Sequence, residues 1–206
     1  MSSEAVMEKI KVQCLSLLIE TSPQALPLGA ACIASSIKHN PRTKDFFHAE
    51  LKSFSMESEA LAGKTEDQVA GIIADAIDAP YVLFSVFVWN RKIMEKICAT
   101  VRQRNPECIC IAGGPEVTAN PFTFENFDYT VCGEGEIAVP ELIAEMESCG
   151  RNPEKVQRLP QGVFARENFA AYVNAKEWAR SQAPDVSILE SPYLDGTIDP
   201  GLYGGA

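Results

Sequence analysis

The feature that most constrains this chain is an alternation. Apolar β-type runs and helical stretches succeed one another five times before residue 150, the pattern of strands joined by crossover helices. The runs are residues 11–19, 47–54, 81–88, 107–112 and 129–132. The first and third are apolar on both faces, as central strands of a parallel sheet are. The second carries charge and alternates only weakly, which places it at an edge. Pro27 opens a helix over 28–38, rich in small residues that allow close packing on a sheet. Thr65-Glu66-Asp67-Gln68 is a capping box opening a helix to about Asp78, striped by Val69, Ile72, Ile73 and Ile77. Residues 91–104 and 137–148 are the remaining helices. The expectation is an α/β fold with a doubly wound, five-stranded parallel sheet in the order 2-1-3-4-5. Its switch point then lies between strands one and three.

That unit spans residues 1–150, and 151–206 read as an extension or linker towards a further domain. Within the extension, 162–166 form a short strand and 168–182 a helix anchored by Phe169, Tyr172, Val173 and Trp178. Residues 183–206, with three prolines and four glycines, read as an extended arm. A formal net charge of -10 disfavours nucleic acid as a partner. Seven cysteines stand without a CxxC or CxxxCxxC, so no zinc or iron–sulfur site is written here. Buried thiols in odd number suit a reducing compartment. The N-terminus MSSEAVMEKI lacks a signal-peptide pattern, and the longest apolar run, residues 79–89, is too short to span a bilayer. A cytoplasmic protein with no membrane partner is expected.

The unusual backbone lies on one edge. Residues 109–116 (ICIAGGPE) are a buried strand stopped by Gly113, Gly114 and Pro115, followed by Glu116. Adjacent glycines at a strand end leave backbone open to close approach. Gly133-Glu134-Gly135-Glu136 repeats the theme after strand five, and Thr21-Ser22-Pro23 follows strand one. All these loops open at the carboxyl edge, where open α/β sheets hold ligands. Neither glycine loop is a GxGxxG, and no Walker sequence exists. Ser85 is a polar residue inside an apolar strand: either a small core residue bonded to backbone, or a donor to a buried ligand. No histidine or lysine can be placed beside it as a base. Phe87, Trp89 and Asn90 end strand three. The indole is plain core or, with the amide, a cap over a flat ligand. Glu134 and Glu136 are solvated carboxylates at a helix start or acceptors for a ligand's amides.

Ser85-Val86-Phe87, followed 26 positions past Phe87 by Gly113-Gly114, resembles the Ser-x-Leu and Gly-Gly signatures of cobalamin-binding domains. IAGGPEVTANP (residues 111–121) and GEGE (133–136) resemble the version that precedes the catalytic barrel of cobalamin-dependent radical S-adenosylmethionine enzymes. Pro27-Leu28-Gly29 and Ser191-Pro192-Tyr193 are similar to that group as well. The resemblance implies a flavodoxin-like (Rossmann-like) sheet with cobalamin across its carboxyl edge and the nucleotide tail slotted into it. Ser85 would meet that tail, Gly113 and Gly114 would let it pass, and residues 133–136 would border the tail or corrin amides. Two departures stand out. The family's Asp-x-His-x-x-Gly is replaced by Glu20-Thr21-Ser22-Pro23-Gln24-Ala25, which implies no histidine below cobalt, as in the radical enzymes. There is no cluster motif, so a [4Fe-4S] cluster and S-adenosylmethionine belong to a C-terminal radical domain outside this chain, with Gly204-Gly205 leading towards it. The implied parent activity is methyl transfer or related radical chemistry. Two rival readings remain: a degenerate domain kept as an interaction module, and a binder of another small molecule such as flavin.

Overall fold

The structure is a computed structural model and describes residues 8–152, 155–156, 158–175 and 178–203. Most of the N-terminal decapeptide, and Gly204-Gly205, lie outside the described residues. The elements alternate as the sequence pattern requires: β1 (Ile10–Leu18), α1 (Leu28–His39), β2 (Phe47–Ser55), α2 (Glu66–Asp75), β3 (Tyr81–Ser85), α3 (Arg91–Arg104), β4 (Ile109–Gly113), α4 (Pro115–Ala119), β5 (Tyr129–Val131), α5 (Gly135–Ser148), β6 (Val163–Ala165) and α6 (Phe169–Ala175). The sheet order is β2-β1-β3-β4-β5-β6. The first five strands are parallel, and β6 runs antiparallel to β5. The sheet therefore has six strands. The sixth comes from the extension and covers the edge that β5 would otherwise expose.

Strand periodicity splits the core in two. Val12, Cys14, Tyr81, Leu83, Ile109, Ile111, Tyr129 and Val131 face α1 and α5. Leu15, Leu17, Val82, Phe84, Cys110 and Ala112 face α2 and α3. The capping box at Thr65 forms in both directions, with Gln68 N–H to Thr65 Oγ1 at 3.3 Å and Thr65 N–H to Gln68 Oε1 at 3.0 Å.

Three boundaries differ clearly from the expectation, one of them the extension's helix, which ends at Ala175. Helix α2 stops at Asp75, because Asp78 turns under β1. Its carboxylate accepts from Lys11 Nζ at 2.6 Å and Gln13 Nε2 at 2.8 Å, and its N–H donates to Gln13 Oε1 at 3.1 Å. Strand β3 stops at Ser85 rather than Val88. Asn90 causes this: its Oδ1 accepts from Phe87 N–H at 2.8 Å, and its Nδ2 donates to the Ser85 carbonyl at 3.2 Å. The β-prone residues Phe87, Val88 and Trp89 are thereby left exposed on the carboxyl edge.

Among the described residues, no helix is long and apolar enough to cross a membrane, and no group of three or more metal-ligating side chains forms. The seven cysteines are free thiols. Burial pushes Cys14 up to about 12, against the nearby charge of Lys38.

Candidate functional site

A slot of about 680 Å³ opens at the carboxyl ends of β1, β3, β4 and β5, between the sheet and the start of α1 and α5. It exists because the facing positions there are small. On the α1 side of the sheet, Leu83 and Ile111 are succeeded at the next inward position by Ser85 and Gly113, which are register partners. Helix α1 presents Gly29 and Ala30 at its first turn, and a Cβ on Gly29 would meet no other part of the fold within 4 Å. Cys14, Leu83, Ile111, Val131, Ile33 and Val139 make the inner walls apolar. Such a cleft, apolar with a few convergent polar groups, suits a small molecule with a flat or aliphatic part.

Nine residues singled out from the sequence line this slot: Ser85, Phe87, Gly113, Gly114, Pro115, Gly133, Glu134, Gly135 and Glu136. No hydrogen bond from the Ser85 hydroxyl is formed among the described residues, although its carbonyl is taken by Asn90. Glu136, in the first turn of α5, keeps a buried Oε2 with no partner among the described residues. Burial raises its carboxyl and the charge of Glu134 adds to this, while the backbone N–H groups of Glu136 and Gly135 pull the other way. The unpartnered Oε2 is an acceptor position that a ligand amide or hydroxyl can fill.

The other five candidates stand elsewhere. Thr21 is exposed, and Ser22 donates to Glu20 Oε1 at 2.7 Å. Asn90 is fully buried and spends its amide on the β3 turn. Glu116 accepts from Arg91 at 3.1 Å, which ties α4 to α3. Trp89 stacks on Phe87, with ring centres 6.5 Å apart, and borders a smaller cavity of about 320 Å³ beside Leu17 and Ile19.

The glycines are bare for different reasons. A Cβ on Gly114, whose φ is +111°, would lie 2.6 Å from the Val86 carbonyl oxygen, so this turn is pressed against its own β3 loop. A Cβ on Gly133 (φ +98°) would meet Ser181 at 2.8 Å, and one on Gly135 would meet Ile33 at 2.8 Å. Gly113 alone of the four has room: its nearest neighbour would be Val131 Cβ at 3.9 Å.

Sequence reasoning missed the outer wall. Arg180, Ser181 and Ala183 line the slot from the extension. Arg180 and Ser181 fall in the part of the helix expected over 168–182 that does not form: α6 ends at Ala175 and residues 178–182 are not helical. Nothing local in the sequence points to their pairing with the residues just past β5.

The two histidines are remote from the slot. His39 faces Asp195 at 3.1 Å, and His48 is exposed on β2.

Comparison with known proteins gives the family of the chain. Residues 17–143 match the family model described as the B12 binding domain. The chain belongs to the B12-binding domain family. This B12-binding domain is 32% identical over 161 residues to the cobalamin-dependent radical SAM methyltransferase TokK of Streptomyces tokunonensis, covering 72% of the chain and 23% of that protein. It is 28% identical over 178 residues to a 2-(S-pantetheinyl)-carbapenam-3-carboxylate methyltransferase of Streptantibioticus cattleyicolor, covering 84% of the chain and 24% of the relative. The chain thus spans about a quarter of the length of these two relatives. A solved structure of the radical S-adenosylmethionine methyltransferase TsrM from Kitasatospora setae aligns with a TM-score of 0.49 and 14% identity, over 77% of this chain and 28% of that one.

Proposed function

We propose that residues 1–150 hold cobalamin for a radical S-adenosylmethionine methyltransferase, with the nucleotide tail of the cofactor in the slot. The observation that supports this most is the run of small residues, Gly29, Ala30, Ser85 and Gly113, that keeps the slot open inside the matched family region. Ser85 and Glu136 are the polar groups for the tail, and Gly113 is the backbone it passes. Phe87 and Trp89, exposed on the same edge, are apolar surface for the corrin side. No histidine lines the slot among the described residues, so this site would hold the cofactor without offering cobalt an imidazole. Bound cobalamin supplies the chemistry of a methyl carrier; this chain's own residues bind it, orient it and exclude water from its tail. The [4Fe-4S] cluster and S-adenosylmethionine belong to a C-terminal radical domain, towards which residues 151–206 lead, in a cytoplasmic enzyme. The radical SAM methyltransferase name of one relative, and the fact that the chain spans about a quarter of both relatives, support a further domain.

The test is retention. The chain mixed with hydroxocobalamin and passed through gel filtration is expected to carry the corrinoid's visible absorbance. Gly113→Leu fills the slot where the backbone has room, and is expected to lose at least about tenfold in affinity while melting near the wild type. A folded wild-type chain that carries no corrinoid overturns the reading, and a flavin spectrum in the protein as purified replaces it.

A further inference from the structure

The matched family region ends at residue 143, yet the slot does not. Its outer wall is a strap around residues 178–183, and the chain is built to seat it. Ser181 forms a parallel bridge with Gly133. Its N–H donates to the Cys132 carbonyl at 2.8 Å, and its hydroxyl donates to the carbonyls of Cys132, at 3.2 Å, and Glu134. Two glycines on separate elements make room for it. A Cβ on Gly133 would lie 2.8 Å from Ser181, and one on Gly162 (φ +82°) only 2.2 Å from its nitrogen. Gln161 Nε2 donates to the Arg180 carbonyl at 2.8 Å. Trp178 meets Phe122 and Phe164 edge-on, at 5.5 and 6.0 Å, within an aromatic cluster that also holds Phe169 and Tyr172.

This clamping fixes the backbone of Arg180 at the slot. Arg180 is the one lysine or arginine among the described residues that line it. Its side chain reaches the Cys132 thiol and has no carboxylate within ion-pair distance among the described residues, whereas Arg91, Arg102, Arg104 and Arg151 are each paired. The carboxyls that line the slot are Glu134 and Glu136. The one full positive charge offered to an anionic ligand group at the slot, among the described residues, is therefore that of Arg180. We infer that the strap is part of the ligand site and that Arg180 receives the anionic phosphodiester of the ligand's nucleotide tail. Guanidinium groups suit that oxygen geometry. The inference rests on the cobalamin reading above.

The experiment compares hydroxocobalamin with cobinamide, which has the same ring but neither the nucleotide tail nor its phosphodiester. Dissociation constants come from quenching of tryptophan fluorescence, for the wild type, Arg180→Gln and Arg180→Lys. Arg180 is exposed, so both variants should keep the wild-type melting curve. Arg180→Gln is expected to weaken hydroxocobalamin about tenfold and leave cobinamide unchanged, with Arg180→Lys falling between the two because it keeps the charge but not the planar fork. Raising salt should weaken the wild type more than Arg180→Gln. Equal affinity of Arg180→Gln and the wild type for hydroxocobalamin overturns the inference and leaves the cobalamin site standing. Equal weakening of both corrinoids overturns the phosphodiester assignment. A wild type that binds no hydroxocobalamin overturns the site and the inference with it.

Discussion

Two glycine turns stand side by side on the carboxyl edge, one after β4 and one after β5, and in sequence they look alike. In the fold they differ. After β5, Gly133 is bare because Ser181 of the same chain occupies the space, and Gly135 because Ile33 does. After β4, Gly114 is bare because the Val86 backbone crosses it, while Gly113 faces the open slot. Three of these four glycines thus serve the chain's own packing, and one is left free to serve a ligand. A glycine at a strand end signals close approach, but not what approaches.

Breaking the internal contacts should cost the most. Gly114→Leu places a side chain at a positive φ and 2.6 Å from the Val86 oxygen. It is expected to lower stability by about 3 kcal/mol or more, read as a drop in the urea midpoint. A variant that folds as well as the wild type would show that the β3 loop yields easily, and the contrast with Gly113 would collapse. Gly162→Val meets Ser181 and the Cys132 carbonyl at 2.2–2.7 Å. Because the strap can lift away, a smaller loss of about 2 kcal/mol is expected. Faster amide exchange confined to residues around 178–183 would mark that lifting; exchange spread over the whole sheet would show that the strap and the sheet form one cooperative unit.

The same contrast separates what the sequence makes legible from what it hides. Strand order followed from local signals: the apolar runs, the capping box at Thr65, the charged edge strand. Ser85 and Gly113 were legible too, because small residues inside an apolar strand have few reasons to be there. Asn90 was not, since its amide closes a turn at Phe87 that competes with strong β propensity. Thr21 and Ser22 belong to a loop whose path no periodicity sets. The strap was hidden because its pairing joins Ser181 to residues 47–49 positions earlier in sequence. Loop closure at that range is specified by tertiary fit alone.

A second long-range clamp holds the end of the extension on α1. Asp195 accepts from Ser35 Oγ at 2.7 Å and from Thr197 N–H at 2.8 Å, and His39 lies at 3.1 Å. Burial works against ionisation, but bonds from Thr197 and Ser35 and the Lys38 charge outweigh it and hold the carboxyl at about 2 against an ordinary 3.8. A depressed acid stabilises the fold fully above its unfolded value and loses that contribution as pH falls through the folded one. Asp195→Asn is therefore expected to cost about 1–2 kcal/mol at neutral pH. The difference from wild type should shrink between pH 3.8 and 2. A pH-independent difference would mean that shape rather than charge holds the clamp.

Glu136 should show the opposite sign and the smallest effect. Burial raises its carboxyl above the ordinary 4.5, so the protonated form is favoured in the fold. Its contribution is most favourable below 4.5 and declines as pH rises through the folded value. Glu136→Gln removes that decline. The variant should match the wild type at about pH 4 and be the more stable of the two at about pH 7, read by urea unfolding at both. Hydroxocobalamin sharpens the test. If a ligand amide or hydroxyl supplies the partner that Oε2 lacks, saturating corrinoid should erase the advantage of Gln at neutral pH. An advantage unchanged by corrinoid would place Glu136 with the internally satisfied side of the edge, beside Gly133 and Gly135, and leave Ser85 and Gly113 as the groups that face the tail.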